Sequence, residues 1–426
     1  MKKKLIPAVL ALLLMGGCGE AKAPADPGKD DKEKVEVTSE VSPTPESVKK
    51  DDIATPTEEA APTEAPQEEI DWKGIYAEFL DSGIEQEIDY LEPGWRNSWT
   101  LGFIYLNKDD IPELVISSGY EAAGNIICTI LDGKVSHMQT ARLGIFYKER
   151  GNVLDNCDGN MGYYHDYIYS IGKDGFDLNC EGTNNEVYGE NGPTGDMEYA
   201  LNGNSVSEEK YYKTLDGMIR VADRRHYGRG SSYTEVMNFL TGQNRGNFRD
   251  AYAEMLQQTI SSGFGDDYSY ALIRRKDGDP LLLCIGDDTY HICSYDDGIL
   301  FQESDSYFEE TMSYRVYHDA GVVQVSQYLE DGNMYNSYLE YRGGAQLYEF
   351  GYTYLELDED GEPRTDANDE PIRFYELNSS KVTEEVFEEY MQKYDAYQEC
   401  SFYKRHESDT ELNLMSADKM IAYLLK

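Results

Sequence analysis

The chain has 426 residues, 81 of them Asp or Glu and 38 Lys or Arg, for a formal charge of −43. That balance excludes nucleic acid, anionic headgroups and other polyanions as partners over most of the surface, because gripping phosphates needs clustered Lys and Arg. The length supports a core large enough not to depend on the seven cysteines for stability.

The first element is the stretch MKKKLIPAVLALLLMGGCGE. Lys2, Lys3 and Lys4 precede an apolar run from Leu5 to Met15, too short for a permanent membrane span, and the pattern predicts a signal peptide over residues 1–17. Its end, Leu14-Met15-Gly16-Gly17-Cys18, resembles a bacterial lipobox. The resemblance implies diacylation of Cys18, cleavage before it, and a mature chain held by lipid on the extracellular face of the cell membrane.

Residues 18–70 hold half of the chain's 14 prolines among Thr, Glu, Lys and Ala, with almost no large apolar residue. Such a segment cannot offset its ordering entropy by burial and is expected to be a disordered tether. Its reach is at most ~160 Å fully extended and about 40 Å as a coil.

Beyond the tether the chain compares well with itself. DWKGIYAEFL at 71–80 aligns without a gap on NFRDAYAEML at 247–256, and both place large apolar residues at helical spacing behind an N-cap, Asp71 or Asn247. YALNGNSVSEEKYY at 199–212 aligns on YELNSSKVTEEVFE at 375–388, a strand end followed by a helix that Ser207 or Thr383 caps. Each copy closes on a short apolar helix, EVMNFL at 235–240 and KMIAYLL at 419–425, and the tetrapeptide DGNM recurs at 158–161 and 331–334. Arg225-His226 and Arg405-His406 also correspond, on polar stretches that read as solvated loops. These landmarks predict two tandem homologous domains, 71–243 and 247–426.

Between the helical ends lie short runs rich in Ile, Tyr, Phe and Val, such as ELVISSG, NIICTIL, PLLLCIG and YHICSY, separated by Asn, Asp and Gly. Asp132-Gly133 and Asp297-Gly298 suit tight hairpins, because both central residues of such turns need positive φ. Connections this short, with no helix between strands, predict an α+β class in which each domain is an antiparallel meander with an N-terminal helix and C-terminal helices.

The turn FIYLNKDDIPELVI (103–116) resembles the acidic Asp-x-Asn-x-Asp-Gly turn of extracellular repeat proteins and of clostridial lipoproteins, which implies a calcium loop. Asn107, Asp109 and Glu113 are what remain of the ligand set, short of the six to eight or so oxygens calcium takes. Asp358, Asp360 and Glu362 form a second acidic loop able to hold calcium weakly, where a solvated hairpin is the favoured reading because charge runs at turns face water. No other cofactor is expected.

Tyr163, His165, Tyr167 and Tyr169 alternate along one strand and so share a face suited to stacking on a sugar or a peptide. No HExxH, GxSxG or phosphate-binding glycine loop occurs, and the six histidines are dispersed. Paired carboxylates for glycoside hydrolysis are available in abundance, yet nothing nominates a pair.

Lipobox, tether, Trp-containing helix, Asn-Asp turn and final Val-Ser-Glu-Glu helix together resemble uncharacterised cell-surface lipoproteins of clostridial, Gram-positive bacteria. That resemblance implies location and carries no active site. The leading expectation is a non-enzymatic surface binding or interaction protein with a glycan or protein ligand. A wall or polysaccharide hydrolase using two carboxylates is the alternative, and a transporter's solute-binding lipoprotein, with parallel sheets, is the third.

Overall fold

The computed structural model describes residues 70–426 apart from 89–90, 92–93, 161, 190–191, 266, 304–305, 310, 329–332, 356–362, 367–369, 379 and 403–411. The signal peptide, Cys18, the tether, the acidic residues Asp358, Asp360 and Glu362, and Arg405-His406 lie outside the described residues. The chain is an α+β fold in which every strand ladder among the described residues is antiparallel.

Helix α1 (Trp72–Glu78) widens through Phe79–Gly83 into α2 (Ile84–Glu87). A four-stranded meander follows: β1 (Thr100–Ile104), β2 (Glu113–Ser117), β3 (Asn125–Leu131) and β4 (Lys134–Gln139). A second, longer meander takes β5 (Phe146–Lys148), β6 (Val153–Asn160), β7 (Tyr163–Ile171), β8 (Phe176–Gly189), β9 (Gly192–Leu201) and β10 (Asn204–Val206). Then come α3 (Glu208–Met218), β11 (Arg225–Ser232), which returns to pair with β5, and α4 (Tyr233–Leu240).

The rest of the chain opens on α5 (Phe248–Ser261) and the meander β12 (Ser269–Ile273), β13 (Leu281–Ile285), β14 (Thr289–Asp296) and β15 (Ile299–Gln302), with β16 (Ser306–Tyr307) beside β14. The long strands are β17 (Met312–Tyr317), β18 (Val322–Tyr328), β19 (Met334–Arg342), β20 (Ala345–Leu355), β21 (Arg373–Leu377) and β22 (Ser380–Val382), paired in sequence. Helix α6 (Glu384–Met391), β23 (Glu399–Phe402), which returns to β17, and α7 (Ala417–Leu424) complete it.

The local signals behind these elements are visible in the caps. Asp71, Asn247, Ser207 and Thr383 each accept a bond from a backbone N–H in the first turn of α1, α5, α3 and α6. Glu208-Glu209 and Glu384-Glu385 add negative charge at the positive ends of α3 and α6. At the hairpins Asp132 and Gly133 have φ of 48° and 73°, and Asp297 and Gly298 have 52° and 91°, a backbone that Asp-Gly tolerates and β-branched residues do not.

Packing forms layers. One face of β1–β4 meets α1 and α4 through Tyr76, Leu80, Leu101, Ile116, Cys128 and Phe239, and the other meets the long meander through Val115, Ile127, Tyr147 and Leu154. The later meander does the same, with Tyr252, Leu256, Cys293 and Met420 on its helical side and Leu283, Ile292, Val316 and Val323 on the other. Helix α3 covers the far side of the first long meander through Tyr211 and Leu215, and α6 covers that of the second through Phe387 and Tyr390.

Two tyrosines pin the helices to their meanders. The Tyr76 hydroxyl lies 3.0 Å from both the Pro112 and the Cys128 carbonyl oxygens, and the Tyr252 hydroxyl lies 2.8 Å from that of Pro280 and 3.2 Å from that of Cys293. Both side chains are fully buried, so removing the hydroxyl strands carbonyls away from water. Tyr76→Phe and Tyr252→Phe are each expected to lower stability by about 1–2 kcal/mol. A urea midpoint unchanged in both variants would contradict that role.

Strand β11 also joins the two parts of the chain, since it pairs with β20 over His226–Gly230 and with β1 over Ser231–Ser232. The reading of Arg225-His226 as solvated loop is thereby corrected. Arg225 lies in a half-buried square of charges with Glu340 (2.6 Å) and Glu149 (3.3 Å), which Arg342 closes at 2.6 and 3.1 Å. The sequence of β11, RHYGRGSS, has a single large apolar side chain, Tyr227, and only its partners make it a strand.

Candidate functional site

The long strands outreach the short meanders that cover them, and the overhang is aromatic. On β7 the residues Tyr163, His165 and Tyr167 share one face, opposite the buried Asp166 and Ile168. His165 and Tyr167 stack with ring centres 4.4 Å apart and planes 19° apart, and Tyr163 stacks on Tyr188 of β8 at 6.5 Å and 10°. Tyr163 and Tyr188 are 62% and 52% exposed, an unusual state for two rings held nearly parallel. Tyr169, expected on the same platform, instead packs into the core beside Leu154 at the covered end of the strand.

A second aromatic row lies across three strands of the later long meander. Tyr335 of β19 stacks on Tyr352 of β20 at 3.9 Å and 8°, Tyr352 is 5.1 Å from Tyr354, and Tyr354 is 5.2 Å from Phe374 of β21. Sequence reading missed this row because its members are far apart in the chain. Only the pairing of Tyr335 with Tyr352 and of Tyr354 with Phe374 brings them together.

The acidic turn is a structural cap. Glu113 is 1% exposed, and its carboxylate accepts the Leu106 backbone N–H at 2.7 Å and the Thr129 hydroxyl at 3.3 Å. Asn107 accepts from the Asp109 N–H and Asp109 from the Ile111 N–H, so the three residues turn the chain with their own oxygens. Burial pushes the Glu113 carboxyl up to about 8, against the Leu106 and Thr129 bonds that favour its charge.

The most charged interior lies between β6, β7 and α3. Asp155, Cys157 and Asp166 bring their ligating atoms within 4.8 Å of one another. The Tyr211 hydroxyl donates to Asp166, and Arg224, 2% exposed, stands 3.7 Å from Asp155 while donating to the Ile219 carbonyl and the Ser380 hydroxyl. Burial and the neighbouring Asp166 push the Asp155 carboxyl well above the usual range, with Arg224 pulling the other way. Arg224 is the cation that faces this buried acid pair.

This carboxyl pair is the one that sequence left unnamed, and it is closed. Asp155 is fully buried and Asp166 7% exposed. A groove of about 440 Å³ runs above, between α3 and the β22–α6 corner, and Ser380 forms part of its floor. Of its charges, Arg220 pairs with Asp223, Lys381 with Glu208, and Asp216 accepts from the Val221 N–H. No family model, curated protein or solved structure matches the chain.

Proposed function

We propose that the chain is a lipid-anchored surface protein of a bacterial cell, built from two tandem copies of one α+β unit, that binds a glycan-bearing wall polymer without transforming it. The duplication is supported by the strand pairing, which runs in the same order through 100–232 and 269–402. It is supported again by shared close contacts. A Cβ on Gly182 would meet the Tyr211 ring and one on Gly351 the Phe387 ring, each glycine letting a helix ring sit against its sheet.

The observation that carries binding is the exposed, parallel pair Tyr163 and Tyr188 next to the His165–Tyr167 stack. Flat rings that stay exposed present a face to the apolar side of a sugar at little ordering cost. The carboxyl pair favours the same reading from the other side. A glycosidase needs its two carboxyls open to a sugar, whereas Asp155 and Asp166 are buried under α3, at 0% and 7% exposure.

Tyr163→Ala with Tyr188→Ala is expected to weaken binding to isolated wall polysaccharide about 10- to 100-fold, with thermal stability nearly unchanged because both rings are exposed. Titration of soluble wall fragments against parent and variant reads this directly. Equal affinity in both would remove the aromatic face from the proposal.

A further inference from the structure

A second group of buried ligating side chains lies on the helical face of β13 and β14. Cys284, His291 and Cys293 place a thiol, an imidazole nitrogen and a thiol within 4.8 Å of one another, at 0%, 8% and 0% exposure. The register explains the convergence: Cys284 stands opposite His291, and Cys293 stands one step diagonal, opposite Leu282. Met255 of α5 covers the group, its sulfur 3.5 Å from that of Cys293, and the Tyr268 ring meets the His291 ring edge-on at 5.1 Å.

We propose that Cys284, His291 and Cys293 form a structural site for a thiophilic d10 cation, zinc(II), which ties α5 to the β13–β14 hairpin. Zinc takes sulfur at about 2.3 Å and imidazole nitrogen at about 2.0–2.1 Å, so the three donors close on one ion with side-chain adjustments alone. Binding releases the two thiol protons, and two thiolates, a neutral imidazole and zinc(II) sum to zero charge. A neutral complex is what an apolar core of Tyr252, Tyr270, Leu282 and Leu300 can hold. The Asp155–Cys157–Asp166 group differs, because Arg224 already supplies its cation. A Cys284–Cys293 disulfide is disfavoured, because diagonal cross-strand positions stand about 7–8 Å apart, at or beyond the reach of the bond.

The earlier meander supplies a control. Ile116 stands opposite Ile126, and Leu114 opposite Cys128, so Ile116 and Ile126 occupy the places that Cys284 and His291 occupy in the later one. Cys284→Ile with His291→Ile is therefore a variant with a precedent for packing in the same fold.

The test is zinc content of the full mature chain, purified under reducing conditions with zinc and dialysed, with cobalt(II) replacing zinc as a spectroscopic probe. The parent is expected to hold about one metal per chain, with a thiolate-to-cobalt charge-transfer band in the near ultraviolet. C284I/H291I is expected to lose metal ~10-fold or more and keep a cooperative unfolding transition, while Asp155→Asn and Met255→Leu retain it. A parent free of metal, a Cys284–Cys293 disulfide found by mass, or metal lost through D155N would each overturn the proposal. Preferential copper(I) binding that M255L weakens would overturn the assignment to zinc.

Discussion

Arg224→Met is expected to destabilise the chain by about 3–5 kcal/mol, more than any other single substitution considered, because it removes the counter-charge that faces a buried acid pair. Arg224 is 2% exposed and reaches the Ile219 carbonyl at 3.3 Å, the Ser380 hydroxyl at 3.2 Å and Asp155 at 3.7 Å. Without it, the two buried acids lose the cation that faces them. The later meander shows how the site looks without charge. Gln324, Ser326 and Asn336 stand where Asp155, Cys157 and Asp166 stand, opposite matching partners. The Gln324 amide donates to Ser326 at 3.0 Å and to Asn336 at 2.9 Å, and Tyr317 donates to Gln324 at 2.7 Å. Asp155→Gln and Asp166→Asn introduced into R224M are therefore expected to recover at least about half of the loss. Urea denaturation measures both steps, and an R224M variant within ~1 kcal/mol of the parent would contradict the balance of charges described for this cluster.

Stability is expected to fall as pH rises from about 5 to 8, the reverse of the usual acid-labile pattern. Burial pushes Glu113 up to about 8 and Glu303 up to about 7, and raises Asp155 and Glu376 as well. Glu303 is partly buried, accepting from Tyr341, Gln346 and the Ile292 N–H, which favour its charge without overcoming burial. These carboxyls hold their protons to higher pH in the fold than in the unfolded chain, which releases them at about pH 4. The folded state then binds more protons than the unfolded one, so the slope of stability against pH is negative, about 1.4 kcal/mol per unit for each such group. The stabilisation is complete below the unfolded value and is lost as pH climbs through about 7 and about 8. Asp223 has the opposite sign: bonds from Arg220 and Lys148 hold it down to about 2, so its contribution is lost only in strong acid. Unfolding midpoints across pH 5 to 8 test the trend. Glu113→Gln, which keeps an acceptor for the Leu106 N–H, is expected to flatten the slope by about one proton. A midpoint that rises with pH, or a slope untouched by E113Q, would contradict it.

Much of the fold was legible where the signal is local. Asp71, Asn247, Ser207 and Thr383 announce helix starts because a cap needs only the next turn. Asp132-Gly133 and Asp297-Gly298 announce hairpins because positive φ is a property of two residues. Tyr76 and Tyr252 stood out as aligned core residues, though their paired carbonyls appear only once the meanders are built.

The sites were less legible, because they depend on register between strands distant in sequence. Asp155 sits in a stretch that reads as a polar hairpin end, and nothing nearby points to Asp166, Tyr211 and Arg224. The row Tyr335, Tyr352, Tyr354 and Phe374 is drawn from three strands, and only its Tyr352–Tyr354 step is local in sequence. The alternation that placed Tyr163, His165 and Tyr167 on one face was sound, but it could not tell that Tyr169 passes under the neighbouring sheet.

The functional reading turns on whether the chain holds a wall polymer or cuts it. The most direct measurement incubates the mature chain with insoluble, dye-linked wall polysaccharide and records, in one tube, protein that sediments and dye that is released. Sedimentation of the parent, its loss in the Tyr163→Ala, Tyr188→Ala variant and no release of dye in either is the predicted result. Release of dye by the parent, abolished by Asp155→Asn or Asp166→Asn, would contradict the account and make the closed carboxyl pair an active site.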